Sequence, residues 1–180
     1  MTQPTAQHCD PTPLPLAAGR WRVNGDASSA SFAARGFWGA VPVAGRFSGL
    51  SGGVELDADG LLSGELVILT TTLSTGIGLR DRHLRSAQFF HVRRHPQIRF
   101  GARRLAVSGD GATISGKLTV RDRAIDLVLP VQVEHGPEQT LTLTAETVLE
   151  LEPLGLGHSP LGMVRGPARV RIAVVLERER

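Results

Sequence analysis

The sequence predicts an all-β fold of antiparallel strands, either a sandwich or an up-and-down barrel. Three observations lead there. Apolar residues recur with a period of two along several long segments, which is the pattern of half-buried strands with one apolar face. The breaks between segments, such as "DADG", "SGDG" and "EHGPEQ", are short and rich in Gly, Asp and Pro, as hairpin turns require. No helix-length stretch separates neighbouring strands, so parallel β–α–β units are excluded.

Taken in chain order, residues 1–19 hold four prolines and no alternation, and read as a flexible Pro-rich lead-in. They have neither the basic leader nor the apolar core of a secretion signal. Residues 20–180 read as a single domain. Short strand pieces come first: "GRWRVN", "ASFAARG", "AGRFSG", "GGVELD" and "GELVILTTT". A basic stretch then interrupts them. Leu84, Ala87 and Phe90 fall at i, i+3 and i+6, and Asp81 sits four residues before Arg85. That spacing predicts a short helical cap around residues 78–92, ended by Pro96. Strands resume at "QIRFGARRL", and in "TISGKLTV" Ile114, Leu118 and Val120 face away from Thr113, Ser115, Lys117 and Thr119. "AIDLVLPVQVE" sets Ile125, Leu127, Leu129, Val131 and Val133 on one face; "TLTLTAET" sets Leu141, Leu143 and Ala145 against threonines. "ARVRIAVVLE" sends Val170, Ile172, Val174 and Leu176 one way and Arg169 and Arg171 the other. Eight or more strands at near-even spacing result.

Composition narrows the function. A chain of 180 residues buries roughly 70% of its unfolded surface as one domain. Hydrophobic residues at 41% and charged residues at 21% are those of a globular protein. No apolar run approaches the roughly 20 residues of a membrane-spanning helix. The lone Cys9 leaves no internal disulfide, which fits a reducing cytoplasm, and cytoplasmic localisation is the expectation. The net charge of +3, with Lys117 the only lysine, permits an anionic partner without demanding one.

Catalytic chemistry finds little support. His91 and His95 have the i, i+4 spacing of helical metal ligands, but no acid completes a set nearby and Pro96 cuts the helix. They read as surface or packing histidines. His158 and Ser159 adjoin on a loop, where neighbours cannot aim a base at a nucleophile. No phosphate-binding glycine loop is present. Residues 80–104 carry eight arginines against Asp81 alone, with Phe89, Phe90 and Phe100 interleaved. A nucleic-acid or anionic-membrane binding surface is therefore the alternative function. Tyrosine is absent and aromatics make up 4%, so a solvated arginine-rich face is the simpler reading and no nucleic-acid partner is expected.

From Trp21 to about Leu176 the sequence resembles the YceI-like polyisoprenoid-binding family. The resemblance is densest in "STGIGLRDRHLRSAQFFHVRRHPQIRF". There Thr75-Gly76, Arg80-Asp81-Arg82-His83-Leu84, the pair Phe89-Phe90, and Pro96 follow the family's order. "GRFSGLSGGVELD" and "SGKLTVRDRAIDLVLPV" agree as well, the second through Gly116, Leu118, Thr119, Val120 and Arg121. The sequence departs from the pattern at Asn24, where the family has Asp; at Ala27-Ser28, in place of His-Ser; and at Asp122, in place of Gly. The acidic-aromatic-Gly signature near the end is loosely echoed by "LEPLGLGHSPLG".

The resemblance implies an extended, lipocalin-like antiparallel β-barrel whose lumen holds a long-chain isoprenoid-type lipid, polyprenyl or quinone-like, without catalysis. Eight strands leave an interior that side chains either fill or share with one slender ligand, and periodicity alone does not separate the two. On this reading the tunnel lining or mouth comprises Phe32, Leu84, Phe89, Phe90, Ile98, Phe100, Leu118, Val120, Leu127, Leu129, Leu141, Leu143, Ile172 and Val174. Arg80, Asp81 and His83 meet the ligand's polar end or anchor the cap, with Arg80 and Asp81 as a partly buried ion pair. No catalytic residue, metal or required cofactor is assigned. The expected partners are a long-chain apolar small molecule and, transiently, an anionic membrane surface; a homodimer stays open.

Overall fold

The computed structural model describes residues 17–36, 41–108, 111–156 and 165–179. Among the described residues there are nine strands: β1 (Gly19–Gly36), β2 (Val41–Phe47), β3 (Leu50–Leu56), β4 (Leu61–Leu69), β5 (Gln97–Ser108), β6 (Gly111–Val120), β7 (Arg123–His135), β8 (Thr140–Leu149) and β9 (Arg165–Arg178). All neighbours pair antiparallel, and β1 pairs with β9 to close the sheet. β2 and β3 lie end to end along one edge of β1, through Ala30↔Phe47 and Trp21↔Val54. Nine strands therefore make eight staves of a closed barrel. The lead-in falls mostly outside the described residues, and so do Cys9, His158 and Ser159; Gly19 already belongs to β1.

β1 joins two segments that the alternation presents as separate. Between Asn24 and Ser29 its ladder with β9 shifts register, and the unusual residues there hold the bulge. Asn24 donates from Nδ2 to Glu177 Oε1 at 2.6 Å and accepts the Ala27 N–H on Oδ1 at 3.1 Å. The buried Ser28 donates to the Asn24 carbonyl at 2.6 Å and accepts the Val175 N–H at 2.9 Å. An aspartate at position 24 would lose the donor and face Glu177 with like charge. Gly25 lets the bend pass beneath β3, since a Cβ there would sit 2.3 Å from the Leu50 carbonyl oxygen.

The two ends of the barrel differ. At one end, Trp21, Leu56, Leu62, Leu105, Leu141, Val174 and Leu176 pack into a plug. The other end carries the longer connections. After β4, a 3₁₀ turn (Thr70–Thr72) leads to α1 (Gly78–Arg85) and then to turns reaching Pro96. α1 is shorter than the expected cap: beyond Arg85 the Ser86 hydroxyl takes the His83 carbonyl at 2.7 Å, and residues 86–94 continue as turns. Leu84, Phe89 and Phe90 are buried there with Leu73, Leu151, Leu154 and Leu156.

Candidate functional site

Between the plug and the cap the barrel encloses a cavity of about 190 Å³, above the roughly 150 Å³ of an apolar cavity that stays dry and binds benzene. Inward positions of every stave line it, with Leu, Ile, Val and Ala dominant. Phe32, Phe47, Phe89, Phe90 and Phe100 are its aromatic members; Ser31, Glu65 and Thr147 are its polar ones. Burying hydrocarbon in such a lining is worth about 0.8 kcal/mol per methylene.

Twelve residues named from the sequence line this cavity: Phe32, Phe89, Phe90, Ile98, Phe100, Leu118, Val120, Leu127, Leu129, Leu143, Ile172 and Val174. Leu84 and Leu141 do not. Leu84, 1% exposed, turns from α1 into the packing beneath the cap, and Leu141 belongs to the plug beside Trp21. The sequence reading missed Leu151, Leu154 and Leu156, which line the cavity from the connection after β8. Their only sequence signal is three leucines inside a turn-rich stretch.

That connection covers a gap. β7 and β8 pair only from Val131↔Ala145 to His135↔Leu141, so Arg123–Pro130 of β7 pairs with β6 alone. The ladder stops at Pro130, which has no N–H to give. Residues 151–156 pack their three leucines beside Ile125, Leu127 and Leu149. Arg121 pins the arrangement: its Nη1 donates to the Phe89 carbonyl at 3.0 Å and the Gly155 carbonyl at 3.2 Å. One guanidinium thus joins the turn after α1 to the turn after β8. Gly155 takes φ +71°, which a side chain would resist.

The charged trio lies off the cavity. Arg80 and Asp81 are not an ion pair; they meet through Thr75. Thr75 donates to Asp81 Oδ1 from its N–H at 2.7 Å and from its hydroxyl. Arg80 donates to the Thr75 hydroxyl oxygen at 2.9 Å and to its carbonyl at 3.1 Å. Adjacent helical residues do not face each other, so a shared partner is what brings them together. His83 is half-buried, with Nε2 unbonded among the described residues. Arg80 and Asp81 thus tie α1 to Thr75, and Arg85 adds a bond to the Leu73 carbonyl. Thr72 completes the anchoring by accepting the N–H groups of Ser48 and Gly49 at 3.2 and 3.1 Å.

Burial pushes the Asp81 carboxyl up, but the two Thr75 hydrogen bonds and the Arg85 and Arg80 cations outweigh it and hold it below its ordinary 3.8. A depressed folded value gives stabilisation that is present above 3.8 and lost as pH falls through the lower folded value. Asp81→Asn should therefore unfold several degrees below the parent at about pH 6, with the difference fading by about pH 2. Thermal unfolding of both proteins checks this; a pH-independent difference would contradict it.

The two histidines with metal-ligand spacing lie on turns, not a helix. Their rings meet edge-on at 5.8 Å, and His95 Nε2 reaches Asp122 Oδ2 at 3.5 Å. Asp122, where the family pattern has glycine, thereby gains a partner. No group of three or more metal-ligating side chains occurs among the described residues. None of the described helices is long and apolar enough to cross a membrane.

Related proteins share this architecture. A UPF0312 protein of Vibrio campbellii is 26% identical over 73% of this chain and 62% of its own. One of Pseudomonas paraeruginosa is 32% identical over 67% of this chain and 54% of its own. The chain thus spans just over half the length of these curated relatives, and 29% of a 40%-identical one from Pectobacterium atrosepticum. Among solved structures, Burkholderia cenocepacia BcnA superposes with a TM-score of 0.74 at 20% identity, over 85% of this chain and 98% of that one. A polyisoprenoid binding domain from Saccharophagus degradans, implicated in plant cell wall breakdown, gives 0.70 at 17% identity over 88% and 98%. With the YceI-like domain model matching residues 21–177, the chain belongs to the YceI-like family.

Proposed function

We propose that the barrel binds one long-chain isoprenoid-type lipid, polyprenyl or quinone-like, and carries or stores it without catalysis. The observation that carries this is the aliphatic cavity between plug and cap. A branched hydrocarbon chain satisfies such a lining, whereas a polar metabolite would leave its own groups unpaired there. The polyisoprenoid binding named for the Saccharophagus degradans domain supports the same class. The setting we propose is the cytoplasm, which a single cysteine suits. Extraction of the purified protein with organic solvent, followed by mass spectrometry, should return an isoprenoid lipid at close to one per chain. An empty extract, together with no uptake of an added polyprenol or long-chain quinone, would end the carrier reading.

A further inference from the structure

We propose that the cap carries a membrane-docking prong, in which Ile77 and Leu79 enter an anionic bilayer while Arg82, Arg93 and Arg94 meet its headgroups. The proposal takes its purpose from the carrier reading, because a lipid this insoluble must be loaded and delivered at a membrane.

Six large apolar side chains are exposed among the described residues, and two of them stand side by side on the cap. Leu79 is 76% exposed and Ile77 52%. Single exposed apolar residues are common, but these two lie within three positions of each other on the cap. Gly76 and Gly78 flank Ile77, and a Cβ at either would find nothing within 4 Å, so the segment stands clear of the barrel. It is nevertheless held firmly. Arg46 and Ser74 exchange two backbone hydrogen bonds of 2.9 Å, and the Thr75–Asp81 bonds tie the segment to α1. Leu79 and Arg82 are three apart on α1, on the side away from the buried Leu84.

Charge is concentrated in the same stretch of chain. Residues 70–96 carry five arginines and Asp81. That is a net +4 in a chain whose total is +3, so the rest of the chain carries −1. Arg82, Arg93 and Arg94 are exposed and enter none of the ion pairs among the described residues. On the barrel wall Arg99, Arg103 and Arg171 each face a carboxylate, at 3.0, 3.6 and 3.4 Å, while the exposed Arg104, Arg123 and Arg169 enter none of the ion pairs among the described residues. The connection after β8, which Arg121 joins to the turn after α1, exposes Glu150 and Glu152. The positive excess of the 70–96 segment lies on the stretch that carries Ile77 and Leu79, which suits it to an anionic surface. A free phosphate would satisfy the arginines but leave Ile77 and Leu79 in water; a bilayer satisfies both.

The test places a reporter on the prong. Leu79→Trp, mixed with vesicles of equal parts phosphatidylcholine and phosphatidylglycerol, should shift to the blue and be quenched by brominated acyl chains. Val128→Trp, on the outer wall of β7, should show neither change. Joint replacement of Arg82, Arg93 and Arg94 by Gln should weaken vesicle affinity about a hundredfold at low salt, since each cation contributes about fivefold, or ~1 kcal/mol. Binding of the parent should fall away by about 0.5 M salt, where the Debye length shrinks to about 4 Å. Quenching at Val128→Trp equal to that at Leu79→Trp would overturn the prong. So would indifference to the anionic lipid, or a preference for duplex DNA with a steep salt slope. Lipid-loaded protein that ignores vesicles would overturn docking alone; protein that docks but neither carries nor takes up a polyprenol or long-chain quinone would overturn the carrier reading alone.

Discussion

Phe90→Ala should unfold roughly 10 °C below the parent protein. Phe90 is 6% exposed and sits in a line of four rings that joins cap to wall. It meets Phe89 edge-on at 4.9 Å and Phe47 edge-on at 5.8 Å, and Phe47 in turn meets Phe32 at 5.8 Å. Removing a buried phenylalanine costs about 3–5 kcal/mol, and edge-to-face pairs add about 0.5–1.5 kcal/mol beyond the area they bury. In a domain of this size each kcal/mol moves the midpoint by about 2–4 °C. The effect should be shared with Phe47→Ala, because both changes break the same contact, so the double variant should lose less than the two single losses together. Thermal unfolding monitored by circular dichroism measures all three. A Phe90→Ala midpoint within about 3 °C of the parent would mean that the cap contributes little to the packing of the barrel.

What was legible in the sequence, and what was not, follows from where periodicity carries information. The paired strands β6 to β9 alternate because one face is in the barrel and the other in water, so their inward residues can be read directly. β1 could not be read as one strand, because the bulge at Asn24–Ser29 breaks the alternation. Leu141 shows a further limit: period two says that a side chain points inward, not how far along the barrel it lies. Leu141 therefore looks like Leu143, although it stands in the plug and Leu143 on the cavity. Leu84 fails differently, since a helix over a barrel mouth buries its apolar face against other cap residues. Leu151, Leu154 and Leu156 had no periodic signal at all, because their positions come from turns.

The cap also explains why its conspicuous charges are not one site. Arg80, Asp81, Arg85 and Arg121 spend their hydrogen bonds on the protein's own backbone and on Thr75. Turns leave carbonyl and N–H groups without ladder partners, and such groups must be satisfied where they are buried. An arginine-rich cap over an aliphatic lumen meets that need with long side chains whose charged ends can also reach water. Of the cap's arginines, Arg82, Arg93 and Arg94 do not perform this service among the described residues and are exposed to a partner.

Ala145→Phe should empty the barrel without unfolding it. Ala145 is 9% exposed, lines the cavity and packs with Leu129 and Val131 on β7, where the β7–β8 ladder ends. A benzyl group there would occupy a large share of the cavity of about 190 Å³. Overpacking a full core costs about 1–3 kcal/mol, but here the ring enters empty space and gains burial, so the midpoint of the lipid-free variant should stay within a few degrees of the lipid-free parent. The functional change should be large, with lipid recovered by extraction falling at least tenfold. Ligand linkage supplies a second reading of the same effect. A ligand at a hundred times its dissociation constant stabilises the folded state by about 2.7 kcal/mol, which is roughly 5–10 °C for a domain of this length. Added polyprenol should raise the parent's midpoint by that amount and leave Ala145→Phe unmoved. A folded variant that still shows the full shift would place the ligand somewhere other than the lumen, whatever the parent's extract contained.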